Sequence, residues 1–94
     1  MAPPPKQENR MGTLQELFRQ AAEDAHAIGT RPETGTLLRS YALYKQATQG
    51  DVQGTRPRDP VGAAKYDAWE KVVGMSRREA MELYVALINA QKEA

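Results

Sequence analysis

The stretch SYALYKQATQGDVQGTRPRD, residues 40–59, couples a helical run to a ten-residue break, and the break decides how the helices are ordered. Up to Gln49 the residues suit a helix. At 3.6 residues per turn, Leu37, Tyr41, Tyr44 and Thr48 share one stripe, with Lys45 beside Tyr41. Gly50 supplies the left-handed residue that commonly ends a helix. From Gly50 to Asp59, two glycines, Pro57 and a mixture of charges interrupt any periodicity. Ten extended residues reach about 33–36 Å, whereas a helix of about 16 residues is only about 24 Å long. The break can therefore run back along the whole of the preceding helix. The helix that follows is free to lie parallel to it.

Upstream, Thr13-Leu14-Gln15-Glu16 forms a capping box, in which each side chain reaches the other's backbone donor. Leu14, Leu17, Phe18, Ala21, Ala25 and Ile28 follow at spacings of three and four, which predicts an amphipathic helix ending at Gly29. Thr30 to Glu33 is a short connection holding Pro32, and the second helix starts at about Glu33 or Thr34. Downstream, Asp59-Pro60 is a helix start, with a carboxylate at the N-cap and proline at the first position. Ala64, Lys65, Ala68, Trp69 and Val72 lie on one face of that third helix up to Gly74. Ser76-Arg77-Arg78-Glu79 is a second capping box, opening a fourth helix with Ala80, Met81, Tyr84, Leu87 and Ile88 on one stripe. Nothing reads as a strand. The expected fold is all-α, with one domain over residues 13–94.

Met1 to Gly12 holds three prolines and lacks the apolar segment of a secretory signal, so a disordered N-terminal tail is expected there. The chain has 94 residues, and a domain this small buries only roughly 60–70% of the surface its unfolded form exposes. Thirteen basic residues against twelve acidic ones leave a formal charge of +1, which argues against bulk electrostatic capture of nucleic acid. Without cysteine there is neither a disulfide framework nor a thiolate zinc site, in keeping with a cytoplasmic setting. No apolar run approaches the roughly 18 residues of a membrane span, so no stable membrane insertion is expected.

Tyr41, Tyr44 and Lys45 place two phenol rings and one ammonium on a single patch, a surface that could hold a flat anionic ligand. By spacing alone, such an aromatic pair is more often core. Lys65, beside Trp69 and Val72, either snorkels to water or joins Lys45 across a groove. His26 is the sole histidine and reads as a surface residue near a helix end. No cluster at metal-ligand spacing is present, and one histidine without cysteine gives a nucleophile–base pair little material. Catalysis is not expected.

The run Tyr41-Ala42-Leu43-Tyr44-Lys45-Gln46-Ala47-Thr48-Gln49-Gly50-Asp51 closely resembles the signature of the acyl-coenzyme A (acyl-CoA) binding proteins. The likeness continues through Arg56-Pro57, Ala64 to Trp69 and Ser76 to Tyr84, and Phe18 with Ala21-Ala22-Glu23 resembles that family's first helix. The resemblance implies a four-helix bundle in up-down-down-up order, with a long overhand loop between helices two and three. It also implies a bowl for fatty acyl-CoA, with no cofactor or metal. Carried over by position, Tyr41 and Lys45 would hold the adenosine 3′-phosphate and Lys65 would add a second cation. Tyr44 would lie against the adenine and Tyr84 at the ligand's edge. Ala42 and Leu43 on the same turn, with Ala22 and His26 on helix one, complete the expected contacts. Three departures stand out: His26 where members often carry lysine, Tyr66 for a frequent tryptophan, and a loop after Pro57 two residues short. The implied function is a monomeric, non-catalytic carrier of medium- to long-chain acyl-CoA. The alternative, resting on those departures, is a ligand-free helical protein-interaction module on the same scaffold.

Overall fold

Four helices carry the computed structural model, which describes residues 13–28 and 33–93: α1 (Leu14–Ala27), α2 (Thr34–Gln49), α3 (Pro60–Glu70) and α4 (Arg77–Glu93). No strand occurs among the described residues. The N-terminal tail, Gly29 and Pro32 lie outside them. The caps explain the helix starts. Thr13 Oγ1 accepts from the Glu16 N–H at 3.2 Å, Asp59 Oδ2 from Gly62 at 2.7 Å and Ser76 Oγ from Glu79 at 3.0 Å. Each bond satisfies one of the donors that a helix N-terminus leaves unpaired. α3 stops at Glu70, short of the expected Gly74. The N–H groups of Val72 and Val73 turn to carbonyls three residues back, tightening the chain before Gly74 takes a φ of 91°.

Side-chain pairs fix the order of the helices. Lys65 meets Tyr41, Trp69 meets Gln46 and Gly50, and Gly74 meets Asp51, so positions rise together and α2 and α3 are parallel. Phe18 meets Tyr84 and Asp24 meets Lys92, so α1 and α4 are parallel too. Tyr44 meets Tyr84 while Gln46 reaches back to Met75, which makes α2 and α4 antiparallel. The result is an up-down-down-up four-helix bundle, and residues 50–59 form the overhand loop that its parallel middle pair requires.

The core draws Phe18 and Ala21 from α1, Ala42, Leu43 and Ala47 from α2, Val72 from the turn after α3, and Ala80, Tyr84 and Ile88 from α4. Four of these are alanines, which let backbones approach closely. α2 carries α3 and α4 on neighbouring faces, and it buries Ala42, Leu43, Gln46 and Ala47. That face is rotated away from the Leu37–Tyr41–Tyr44–Thr48 stripe. Spacing alone would place both tyrosines in the core, but Tyr44 is 41% exposed and Leu37 36%. The rings sit at the rim because the face of α2 turned to α3 and α4 is the one carrying Ala42, Leu43, Gln46 and Ala47.

One polar network locks the lower end of the bundle. Gln46 is 1% exposed, and its amide donates to Asp51 Oδ1 at 2.7 Å and to the Met75 carbonyl at 2.9 Å. The Trp69 indole N–H donates to the Gly50 carbonyl at 2.8 Å and to Gln46 Oε1 at 3.2 Å, and Asp51 Oδ1 also accepts from Gly74 N–H at 2.9 Å. α2, the loop, α3 and the start of α4 are thereby joined through one buried amide. Every buried side-chain polar atom among the described residues has a partner, as buried polar groups require. The loop is tied to α3 by the Arg56–Asp67 pair, two bonds of 2.8 and 2.9 Å, and by the Tyr66 hydroxyl donating to the Gly54 carbonyl at 3.0 Å.

Candidate functional site

α1 and α2 do not pack backbone to backbone. Among the described residues their Cα atoms stay more than 8 Å apart, and α4 fills behind them. The gap is an open cleft of about 410 Å³, walled by Ala22, Ala25 and His26 of α1 and by Ser40, Tyr41, Tyr44 and Lys45 of α2. Tyr84 of α4 forms its floor. Three rings build the base. Phe18 stacks on Tyr44 with centroids 5.5 Å apart and 18° between planes, and Tyr84 tilts against both at 5.1 and 5.7 Å. Such aromatic packing holds the Tyr44 ring in place while leaving part of it in solvent. Burial, with a smaller effect from Tyr44, pushes the Tyr84 phenol above its ordinary range.

Two ammonium groups converge on one ring. Lys45 Nζ lies 5.8 Å from the Tyr41 ring centroid and Lys65 Nζ, from α3, lies 5.3 Å from the same centroid. Lys45 Nζ is also 5.3 Å from the Trp69 ring. All three separations fall within cation–π range. Neither lysine joins the ion pairs formed among the described residues. Two uncompensated positive charges beside exposed phenol faces are suited to a ligand that joins an anion to a flat apolar group.

Of the residues singled out from the sequence, Tyr41, Tyr44, Lys45, Tyr84, His26 and Ala22 line this one cleft, while Lys65 is outside its lining and lies over the Tyr41 ring from α3. Two more do not line it. Leu43 is fully buried in the core and lines neither this cleft nor the second groove. Ala42, 2% exposed, faces a second groove between α2 and α3. Both stand one or two residues from Tyr41, and each step along a helix rotates a side chain by about 100°. Sharing a turn does not mean sharing a face. Sequence reasoning missed Phe18 as the support of Tyr44, and Ala25 and Ser40 as walls. The four-residue steps from Phe18 to Ala22 and on to His26 were the available signal. The second groove has a volume of about 470 Å³, with Leu38, Ala42, Ala64, Ala68 and Val72 as apolar walls and Arg39 and Lys71 at its edges.

A four-helix bundle with an open cleft of rings and unpaired cations defines a helical ligand-binding domain. Residues 15–88 match the family model described as acyl CoA binding protein. The acyl-CoA-binding protein homolog of Manduca sexta is 41% identical over 81 residues, covering 83% of this chain and 90% of that one. The acyl-CoA-binding protein of Saccharomyces cerevisiae is 37% identical over 78 residues, covering 81% and 90%. The crystal structure of Oryza sativa acyl-CoA-binding protein 2 superposes with a TM-score of 0.82 at 37% identity, covering 86% of this chain and 92% of that one. That of the Moniliophthora perniciosa protein gives 0.76 at 32% identity, covering 85% and 84%. The chain belongs to the acyl-CoA-binding protein family.

Proposed function

We propose that this protein is a non-catalytic cytoplasmic carrier that binds medium- to long-chain fatty acyl-CoA thioesters as a monomer. The observation that carries the reading is the convergence of Lys45 and Lys65 on the Tyr41 ring with no carboxylate partner among the described residues. In this reading the adenosine 3′-phosphate lies between the two ammonium groups and the Tyr41 hydroxyl. Tyr44 offers its exposed face to the adenine, stacked from behind by Phe18, and base–aromatic stacking contributes about 1–3 kcal/mol. His26 and Ala22 border the path of the head group along α1. The α2–α3 groove supplies the apolar surface for the tail.

Magnitudes divide the labour. Each fully buried methylene contributes about 0.8 kcal/mol, so eight further carbons add up to about 6 kcal/mol. A hydrogen bond to a charged group contributes about 1.5–3 kcal/mol net. Tightness is thus set by the tail, and the nucleotide decides which lipids are admitted. Calorimetry tests this directly. Affinity is expected to rise steeply from octanoyl- to palmitoyl-CoA, with free palmitate far weaker; equal affinity for palmitate would remove the head-group role. A thiol assay on the same mixtures is expected to detect no released CoA. Steady release would make the protein an enzyme.

A further inference from the structure

The cleft's cations are held by rings where ammonium groups are commonly held by carboxylates. Among the described residues, the ion pairs join Arg19 to Glu16 and Glu23, Arg56 to Asp67, Arg78 to Glu82 and Lys92 to Asp24. Lys45 instead sits between two aromatic faces, Trp69 at 5.3 Å and Tyr41 at 5.8 Å. Trp69 belongs to a different helix and is itself immobilised. Its N–H is bonded to the Gly50 carbonyl and to Gln46 Oε1, and Gln46 is buried and anchored to Asp51 and Met75.

We infer that Trp69 is a positioning residue for the anion site, its indole face holding the Lys45 ammonium at the cleft without neutralising it. The inference rests on the assignment of Lys45 to the ligand's 3′-phosphate. A carboxylate partner would fix the ammonium but cancel its charge, and an incoming phosphate would have to displace it. A ring attracts the ammonium through its quadrupole and leaves the full charge in place. The three N–H donors of the lysine remain free for an acceptor. The flexible stem of Lys45 is ordered before the ligand arrives, so less of its rotamer freedom is lost on binding. Lys65 has a ring on one side, Tyr41, and is less constrained. The buried Gln46 network thereby acts on the ligand site through Trp69: it sets the plane of the indole, and the indole sets the cation.

The test compares palmitoyl-CoA with the same thioester lacking the 3′-phosphate, by calorimetry on the full chain, with circular dichroism to check the fold. The wild-type protein is expected to prefer the phosphorylated ligand. Trp69→Leu is expected to cut that preference roughly three- to tenfold, the worth of a cation–π contact, and to change affinity for the dephosphorylated ligand much less. Should Trp69→Leu fail to fold, Trp69→Phe keeps a smaller ring without the N–H anchor and is expected to cut the preference about twofold. In a Lys45→Met background the same substitution at Trp69 leaves the preference unchanged, because its effect passes through the ammonium. A preference that Trp69→Phe leaves intact in the wild-type background, or that falls equally in both backgrounds, overturns the inference alone. A wild type with no preference at all overturns the head-group reading and the inference with it.

Discussion

At the scale of single residues, the cleft separates hydroxyl, ring and charge cleanly enough for each to be removed alone. Tyr41→Phe keeps the ring against which Lys45 and Lys65 rest and removes only the hydroxyl. The expected loss in palmitoyl-CoA affinity is about fivefold, the value of one ordinary hydrogen bond. Lys45→Ala removes a charge-assisted contact, and about 10- to 100-fold is expected. Both variants should keep wild-type helicity, since Tyr41 and Lys45 are only half-buried and stand outside the core cluster; an unfolded circular dichroism spectrum for either would make it a structural residue. The acids behave differently. Gly74 N–H and the Gln46 amide hold the Asp51 carboxyl below its usual range, Lys92 and Gln20 do so for Asp24, and Arg56 for Asp67. A folded-state pKa below the unfolded value adds stability that is complete above the unfolded value, about 3.9 for aspartate, and vanishes as pH falls through the folded one. The melting temperature should therefore hold steady on acidification to about pH 5 and then fall steeply below about pH 4. A decline already complete at pH 5 would mean these three carboxylates are not what acid acts on.

At the scale of elements, the chain declared its helices and hid its joints. Capping residues and three-four periodicity locate all four helices, and the reach of residues 50–59 permits the parallel pairing of α2 with α3. The polar network was not legible, because Gln46, Asp51, Trp69 and Met75 come from four segments and meet only after folding. Three residues of the Lys-Gln-Ala-Thr-x-Gly-Asp run, Gln46, Gly50 and Asp51, build this network. Gly50 turns at a φ of 85°, and the Arg77 guanidinium lies 3.5 Å from where its Cβ would stand. Tyr66 likewise acts through a contact made only on folding, its hydroxyl pinning the loop at Gly54. Nor could periodicity tell the rim of α2 from its core, because alanine, not tyrosine, marks the close contacts. The start of α3 provides a sharp test. A Cβ on Gly62 would lie 2.7 Å from Asp59 Oδ1 and 2.9 Å from Pro57 Cβ. Helix propensity favours Gly62→Ala by about 1 kcal/mol, while crowding the cap and the proline costs about 1–3 kcal/mol. The crowding should win, since proline cannot yield easily, and thermal unfolding should show a lower midpoint. A raised midpoint would mean that the loop relaxes without loss.

At the scale of the whole molecule, core and cleft meet at Phe18 and Tyr84 but are otherwise distinct, and that distinction can be measured at Leu43. A leucine at 0% exposure in the central helix packs into a core otherwise rich in alanine. Leu43→Ala should cost about 2–5 kcal/mol, the usual range for a buried leucine. Domains of this kind have only about 5–15 kcal/mol in total, so a large share of the variant unfolds well below the wild-type midpoint. Its side chain faces away from the cleft, so the fraction that remains folded should bind palmitoyl-CoA as wild type does. Ligand at about 100 times its Kd adds about 2.7 kcal/mol to either protein, because stabilisation by binding depends on the native state's affinity alone. Thermal melts with and without palmitoyl-CoA distinguish the two roles: parallel upward shifts in both proteins keep Leu43 in the core. A shift present in the wild type and missing in a folded Leu43→Ala variant would return this leucine to the ligand's contacts and require α2 to turn on its axis when the carrier loads.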